Sequence, residues 1–266
     1  MSEQLAAAIS AALAAGALLR QEYGHPHQIE HKGPIDLVTE VDRRSQALVV
    51  GMLTSAFPAY GVLGEEGMDM PASQDTRWVI DPLDGTANFT HQYPLFAVSI
   101  ALQKGRRMEL GVVYNPLLDE LFTAERGTGA QLNGCPIQVS TCHELGNALV
   151  GSGFPYDIWT NAVDNLEEWG LMAKRTQNLH SDGSATLDLC HVACGRLDAF
   201  WELDLDPWDM AAGTLIVQEA GGSVTHLDGE PFVLGGRSVL ASNGLLHNAI
   251  LDVVGKVRSR GDKAQG

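Results

Sequence analysis

The sequence predicts an α+β protein, and three patterns support that class. Two stretches near the N-terminus have the apolar spacing of amphipathic helices. The middle of the chain carries short β-type runs separated by turn signals, which indicates a largely antiparallel sheet packed on those helices. After about residue 145, short strands alternate with helices, which indicates a second α/β layer. We therefore expect two halves, residues 1–145 and 146–266, that form one unit with a shared cleft, because no low-complexity linker separates them.

The two N-terminal helices have defined limits in the sequence. Residues 3–23 form the first helix, and Gly24 ends it. Thr39 begins the second helix with Asp42 as its capping-box partner, and Pro58 ends it. The apolar positions expected to face the core are Leu5, Ile9, Leu13, Leu18 and Leu19 in the first helix, and Val41, Leu48, Val49, Met52, Leu53 and Ala56 in the second.

The remaining elements follow from β-type runs and the turns between them. In the first half we predict a hairpin around Asn133-Gly134, preceded by strands at residues 60–63, 77–81, 95–103, 108–114 and 118–123. In the second half we predict strands at residues 147–151, 197–202, 222–226 and 238–241. The helices between and after them are expected at residues 161–175, 184–194, 207–220 and 243–257.

Composition limits the classes of function. The chain has 266 residues, 45% of them hydrophobic, and a formal net charge of −16. That charge disfavours a nucleic-acid-binding surface, which needs clustered lysines and arginines. No apolar run reaches the roughly 18 residues that a membrane-spanning helix needs, so no membrane partner is expected. Glu3 and Gln4 stand where a signal peptide carries basic residues, and we therefore expect a cytoplasmic location.

The cysteines and most histidines lack the spacing of metal sites. Cys135, Cys142, Cys190 and Cys194 include no CxxC pair. We interpret Cys190 and Cys194, which lie one helical turn apart, as reduced thiols in the core. The histidines that we interpret as structural or surface groups are His25, His27, His91, His191, His226 and His247.

Three acidic clusters are the strongest functional signal. Glu65 and Glu66 follow a predicted strand, Asp81 and Asp84 flank a proline after another, and Asp209 lies in the first turn of a predicted helix. The glutamates alone fit a solvated loop, and Asp209 alone fits a first-turn acid favoured by the helix dipole. Turn chemistry explains one aspartate after a strand but not two around a proline. Uncompensated carboxylates beside a core are costly, so a cation is expected there.

Taken together, the clusters predict a hydrolytic metal site. Hard cations such as Mg²⁺ take carboxylate oxygens, waters and substrate phosphate as ligands. Gly85 and Thr86 fit a phosphate seat, since a turn into a short helix offers free backbone N–H groups. Such a site suits metal-assisted hydrolysis of a phosphate ester. The GxSxG, HExxH, P-loop and GxGxxG motifs are absent. A metal-binding scaffold without catalysis is the simpler alternative, although it needs neither Thr86 nor Glu65 for water activation.

At these residues the chain resembles the inositol monophosphatase family of Mg²⁺-dependent phosphatases over nearly its whole length. The motifs that carry the resemblance are Asp36-Leu37-Val38-Thr39-Glu40-Val41-Asp42, Gly64-Glu65-Glu66, the run Trp78–Phe89, Gly183-Ser184-Ala185 and Trp208-Asp209-Met210-Ala211-Ala212-Gly213. The resemblance implies a layered αβαβα fold of the sugar-phosphatase type, a homodimer, two or three Mg²⁺ ions and inhibition by lithium.

The resemblance also implies roles for individual residues. Glu65, Asp81 and the Leu83 carbonyl would hold one metal ion. Asp81, Asp84 and Asp209 would hold a second, and Glu65 would share a third. Glu65 and Thr86 would activate the attacking water beside Asp84. The residues implied to bind substrate are Asp84, Gly85, Thr86, Gly183, Ser184, Ala185, Glu202 and Asp209, with the Gly85 and Thr86 amides on the phosphate. Asp42 matches a family position near the metals, although its interpretation as the capping partner of Thr39 is equally good. Lys32 is a loose match to a lysine that relatives have near the site.

The identity of the substrate is the most open of these expectations. Residues 180–182, His-Ser-Asp, stand where relatives often have Arg followed by an apolar residue, and Thr186 replaces a common alanine. Arg196 is the one basic residue between positions 180 and 210, which favours a monophosphate, and inositol 1-phosphate is the first choice. Histidinol phosphate, fructose 1,6-bisphosphate and 3′-phosphoadenosine 5′-phosphate are the alternatives. A function of another class also stays open, that of a transcription-associated regulatory binding protein.

Overall fold

A computed structural model describes residues 1–25, 27, 29–31, 33, 36–161, 163–236 and 238–264, and the side chains of His31 and of residues 256–264 fall outside that description. Within these residues the chain forms five stacked layers: a helix pair, an eight-stranded sheet, a second helix pair, a five-stranded sheet and a third helix pair. This arrangement confirms the expected α+β class and its layered form.

The first layer contains the two N-terminal helices. Helix α1 spans Glu3–Glu22, a short hairpin of β1 (Ile29–His31) and β2 (Leu37–Thr39) follows, and α2 spans Glu40–Ala56. The predicted buried faces were partly wrong, because Leu13, Leu48 and Ala56 are exposed. Alanines bury most of the α1 face, since their small side chains let α1 lie close to its neighbours. On α2 the buried positions include polar residues that face the acidic clusters, namely Asp42, Ser45 and Gln46.

The larger sheet carries most of the first half. Its strands are β3 (Gly61–Gly64), β4 (Met68–Met70), β5 (Thr76–Asp84), β6 (Ala97–Lys104), β7 (Arg107–Asn115), β8 (Glu120–Glu125), β9 (Ala130–Leu132) and β10 (Cys135–Ile137), with the short helix α3 (Thr86–Thr90) after β5. The spatial order is β10-β9-β8-β7-β6-β5-β3-β4. Neighbouring strands are antiparallel except β3 and β5, which run parallel and so bring their C-terminal ends to one edge.

The smaller sheet and four helices form the second half. The sheet contains β11 (Leu149–Ser152), β12 (Asn178–His180), β13 (Ala199–Leu203), β14 (Ser223–Thr225) and β15 (Ser238–Ser242), in the order β12-β11-β13-β15-β14. The helices are α4 (Leu166–Met172), α5 (Ala185–Ala193), α6 (Pro207–Glu219) and α7 (His247–Ala264). Helices α5 and α6 lie between the two sheets, whereas α4 and α7 cover the outer face of the smaller one.

Close packing fixes α6 against the larger sheet. A Cβ atom on Gly111 of β7 would lie 2.7 Å from the Ala212 carbonyl oxygen, and one on Gly213 would lie 2.6 Å from the Leu189 side chain. Glycine is therefore required at both positions, and the close approach sets where the first turn of α6 lies.

The sequence missed β1, β2, β4 and β12, which are three residues long and show no periodicity of their own. All four cysteines are free; Cys190 is buried and Cys194 half-buried as expected, while Cys135 is exposed. No helix among the described residues combines the length and the hydropathy that crossing a membrane requires.

Candidate active site

A β-bulge brings the two strand-end aspartates to the same side of β5. Asp81 pairs with Ser99 and Asp84 pairs with Ala97, so three steps along β5 oppose two steps along β6. In a regular strand, residues three apart point to opposite faces, and one extra residue cancels that inversion. Pro82 suits the bulge because it has no N–H to donate to the ladder. The Ser45 hydroxyl donates to the Pro82 carbonyl at 2.8 Å and anchors the bulge to α2.

Asp42 serves as both helix cap and partner of Thr86. Its Oδ2 accepts hydrogen bonds from the Thr39 N–H at 2.9 Å and the Thr39 hydroxyl at 2.5 Å, which completes the predicted capping box. Its Oδ1 accepts from the Thr86 hydroxyl at 2.9 Å. The same hydroxyl oxygen lies 3.1 Å from the Leu83 carbonyl oxygen. The two alternative interpretations of Asp42 are therefore compatible, because the two carboxylate oxygens have separate partners.

The glutamate loop is held against the same edge of the sheet. The Glu65 N–H donates to the Ile80 carbonyl at 3.2 Å, directly beside Asp81. The Gln46 side chain makes two hydrogen bonds to the backbone of Glu66, accepting from its N–H at 3.1 Å and donating to its carbonyl at 3.2 Å. Gln46 thus positions the loop that carries Glu65.

Asp209 is supplied by the first turn of α6. The Asp206 N–H donates to Asp209 Oδ2 at 2.8 Å, and Pro207 occupies the first helical position. The structural interpretation of Asp209 as a helix-start acid is correct. One carboxylate oxygen makes this capping contact, while the charge of the same group acts on Asp84 and Glu65.

Asp84 connects the two halves of the chain. Its Oδ2 accepts from the Ser184 hydroxyl at 2.5 Å and from the Thr186 N–H at 2.9 Å, both at the start of α5. Ser184 is also the N-cap of that helix, where its oxygen accepts from the Leu187 N–H. The predicted substrate residue Ser184 therefore positions Asp84 first of all.

A pocket between the halves collects most of the predicted substrate residues. Its lining includes Asp84, Gly85, Gly183, Ser184, Ala185, Glu202 and Asp209. Gly85 begins α3 with a left-handed φ of 88°, and a Cβ atom there would lie 3.0 Å from the Leu95 carbonyl oxygen. The Glu202 carboxylate lies over Gly153, where a Cβ atom would come within 2.5 Å of its oxygens. Thr86 and Asp81 are buried behind the pocket wall.

The electrostatics of the cluster call for a cation. Burial, followed by the charges of Glu65, Asp84 and Asp209, raises the pKa of Asp81 well above its ordinary value. Burial and then Asp84 raise the pKa of Asp209, and burial raises that of Asp84 against the hydrogen bonds from Ser184 and Thr186. Glu202 shows the same direction of pKa shift, through burial and then Asp188. The side chains of Glu65, Asp81, Asp84 and Asp209 and the Leu83 carbonyl together offer the oxygen ligands that a hard divalent ion prefers.

Several residues of the site were missed or underestimated. Gln46, Ser45 and the Thr186 amide position acidic residues without being acidic themselves, and a backbone N–H has no sequence signature. Tyr156, which follows β11, also lines the pocket. Lys32 lies outside the described residues.

A second group of possible ligands lies beside the pocket. Asp182, Asp188 and His191 each offer one atom, and these atoms lie within 4.8 Å of one another. The interpretation of His191 as lacking ligand spacing overlooked Asp188, three residues earlier on the same face of α5.

This fold and pocket define a class of protein: a layered α+β protein with a buried carboxylate cluster beside an acidic pocket between its halves. The sequence profile of the inositol monophosphatase family matches residues 1–259. The chain belongs to that family, and it is an inositol-1-monophosphatase-like phosphoric monoester hydrolase.

Individual relatives agree with this membership. The chain is 44% identical over 245 residues to an inositol-1-monophosphatase of Synechocystis, covering 91% of this chain and 85% of that protein. It is 40% identical over 254 residues to the Nus factor SuhB of Escherichia coli, covering 94% and 95%. The crystal structure of the extragenic suppressor protein suhB from Bartonella henselae superposes with a TM-score of 0.90 at 37% identity, covering 95% of this chain and 98% of that one.

Proposed function

We propose that this protein hydrolyses inositol 1-phosphate to inositol and phosphate with Mg²⁺ as its cofactor. The observation that carries the proposal is one acidic cluster at one pocket: Asp84, Gly85 and Asp209 line the pocket, and Asp81 and Thr86 are buried behind its wall. Burial raises the pKa of each carboxylate; the charges of Asp84 and Asp209 add to the rise at Asp81, and that of Asp84 adds to the rise at Asp209. A bound cation would relieve this repulsion. The relatives named inositol-1-monophosphatase support the choice of substrate.

Thr86 and Asp42 are suited to take a proton from the attacking water. The Thr86 hydroxyl is within donating distance of Asp42 Oδ1, at 2.9 Å, and when it donates there its oxygen lone pairs are available to a water. As Thr86 accepts the water's proton, its own moves to Asp42. Burial raises the pKa of Asp42 and makes it a better proton acceptor. Glu65 orients the same water from the neighbouring loop.

The other residues hold the ions and the substrate. Glu65, Asp81, the Leu83 carbonyl, Asp84 and Asp209 would hold two or three Mg²⁺ ions. When bound, these ions supply charge for the phosphoryl oxygens and lower the pKa of water. The Gly85 and Thr86 amides bind the phosphate, and Asp209 lies near the leaving oxygen. Glu202, Gly183 and Ala185 face the polyol hydroxyls.

Phosphate release from inositol 1-phosphate, with and without Mg²⁺, tests the proposal. We expect Mg²⁺-dependent release that Asp84→Asn lowers by at least about 100-fold, since Asp84 both binds an ion and faces the substrate. Asp252→Asn is the matched control, because Asp252 is exposed on α7 at the outer face of the smaller sheet. Release that survives both chelation of Mg²⁺ and Asp84→Asn would refute the mechanism.

The same assay distinguishes the alternative substrates. Histidinol phosphate, fructose 1,6-bisphosphate and 3′-phosphoadenosine 5′-phosphate share the chemistry of the phosphate but differ in the alcohol. A higher kcat/KM on any of them than on inositol 1-phosphate would replace the substrate and leave the reaction unchanged. Inhibition by lithium is expected with the preferred substrate.

A homodimer in the cytoplasm is the expected form of the protein. Four large apolar side chains are exposed between β11 and α4: Tyr156, Trp159, Val163 and Leu166. Such a patch favours association with a second copy. Sedimentation at several protein concentrations tests the dimer, and Trp159→Glu with Leu166→Glu is expected to give the monomer.

A regulatory role is the second candidate, favoured by the relatives named Nus factor SuhB. With a net charge of −16, such a role would use contacts to proteins rather than to nucleic acid. The Asp84→Asn variant separates the two functions, because a regulatory role would persist without turnover.

A further inference from the structure

The carboxylate of Asp188 is buried, and no ion pair joins it to a cationic side chain in the part of the chain that the structure describes. The residue is 2% exposed, and within the described part of the chain its Oδ1 has no hydrogen-bond partner. Burial, followed by the charges of Asp182 and Asp84, raises the pKa of Asp188 well above its ordinary value. The nearby guanidinium of Arg196 is already engaged by Glu120 through contacts of 2.5 and 2.7 Å. A buried carboxyl group in such surroundings is stabilised either by taking up a proton or by a cation, and the ligand groups beside it favour the cation.

Two further ligand groups lie next to Asp188. His191 is one helical turn later on α5, and Asp182 lies in the turn between β12 and α5. One atom from each of the three residues lies within 4.8 Å of the other two. The side chain of Asn88 fixes the Asp182 backbone by donating to its carbonyl oxygen at 2.7 Å. Burial lowers the pKa of His191, which keeps the imidazole neutral and able to coordinate a metal.

We infer that Asp182, Asp188 and His191 form a separate binding site for a divalent transition metal ion, with Zn²⁺ as the best match. Imidazole nitrogen and carboxylate oxygen are both ligands that Zn²⁺ accepts, and three protein ligands leave its fourth tetrahedral position open, whereas Mg²⁺ prefers oxygen ligands alone. Zn²⁺ binds such ligands at about 2.0–2.2 Å, which places tetrahedral ligand atoms about 3.4 Å apart, so small side-chain rotations must shorten separations of up to 4.8 Å.

An ion at this site would act on the substrate side of the pocket. Asp182 directly precedes Gly183 and Ser184, and Asp188 lines the pocket itself. The ion would tie this turn to the face of α5 and so hold the Ser184 hydroxyl against Asp84. It would also neutralise part of the charge that raises the pKa of Glu202.

Zn²⁺ titration of the full-length protein by calorimetry, in excess Mg²⁺, tests the site. The Asp81→Asn variant serves as background, because it weakens the main carboxylate cluster and leaves the proposed site intact. We expect one Zn²⁺ per chain in that background. Adding His191→Gln should weaken binding by at least tenfold, since loss of even an outer partner of a metal ligand costs about 10- to 100-fold. His143→Gln, an exposed histidine before β11, is the matched control and should leave binding unchanged.

Anomalous diffraction at the zinc edge locates the ion directly. A peak bonded to all three residues supports the site, and its loss in the His191→Gln crystal confirms the assignment. Asp182→Asn provides a second variant, because its half-exposed side chain tolerates substitution better than the buried Asp188. Zn²⁺ affinity that stays at the value of the Asp81→Asn background after His191→Gln and after Asp182→Asn, or a peak at the Asp81 cluster alone, would overturn the inference. These readouts do not depend on turnover.

Discussion

Replacing Gly85 with alanine separates backbone strain from crowding at the catalytic turn. Gly85 has a φ of 88°, and a Cβ atom there would lie 3.0 Å from the Leu95 carbonyl oxygen and 3.3 Å from that of Gly183. A side chain in the left-handed region costs about 1–2 kcal/mol. Crowding against fixed backbone adds about 1–3 kcal/mol. Alanine also lowers the conformational entropy of the unfolded chain, which offsets about 0.4–1 kcal/mol of this loss of stability.

The sum is a loss of about 1–5 kcal/mol of unfolding free energy, which corresponds to a fall in Tm of roughly 2–20 °C for a chain of this size. Gly127 offers a matched comparison, with a φ of 79° and no atom within 4 Å of the position that a Cβ would take. Gly127→Ala should therefore show the strain alone, about 1 kcal/mol. Gly51→Ala, in the open middle of α2, should stabilise the protein by about 0.5–1 kcal/mol.

Urea unfolding followed by circular dichroism measures the three variants, and phosphate release measures their activity. Gly85→Ala should also lower kcat at least tenfold, because any shift of the turn moves Asp84 and Thr86 together. The two other variants should keep normal activity. Equal losses of stability in Gly85→Ala and Gly127→Ala, with normal activity in both, would refute the argument from crowding.

Two further predictions concern the acidic cluster. Thr86→Val should lower kcat by about 10²–10⁴ with little change in KM, because proton transfer needs the hydroxyl group. Thr86→Ser, which keeps the hydroxyl and loses only the methyl group, should keep most of the activity. Steady-state kinetics measures both variants, and similar values of kcat for the two would contradict this role. Asp81→Asn should abolish activity yet raise the Tm of the chelated protein at pH 8. The folded-state pKa of Asp81 is raised, so ionisation destabilises the fold, and this gain should shrink as pH falls through that pKa towards the unfolded value of about 3.8. A lower Tm at pH 8, with Asp252→Asn as the unchanged control, would contradict it.

The sequence predicted those parts of the site that depend on side-chain chemistry. Asp81, Asp84 and Asp209 were identifiable because carboxylates at strand ends and a helix start have no sufficient structural explanation. The order of the motifs that contain these residues then matched the inositol monophosphatase family. Whether these residues hold Mg²⁺ stays a prediction of the proposed function.

What the sequence could not show depends on geometry. The bulge after Asp81 leaves no trace beyond one proline, yet it decides that Asp84 lies on the same side. The Thr186 amide that binds Asp84 could belong to any residue type except proline. The buried face of α2 was mispredicted at Leu48, because the faces of that helix are set by polar contacts of Ser45 and Gln46 as well as by apolar packing.

The hydrogen bond between Ser184 and Asp84 joins residues that are 100 positions apart. Closing so long a segment is a slow event in folding, because chain entropy must be lost before the contact forms. Local elements such as α1 and the β6–β7 hairpin can form before that closure, but the pocket cannot. Return of enzymatic activity during refolding therefore reports when the two halves dock, and secondary structure returns earlier than activity.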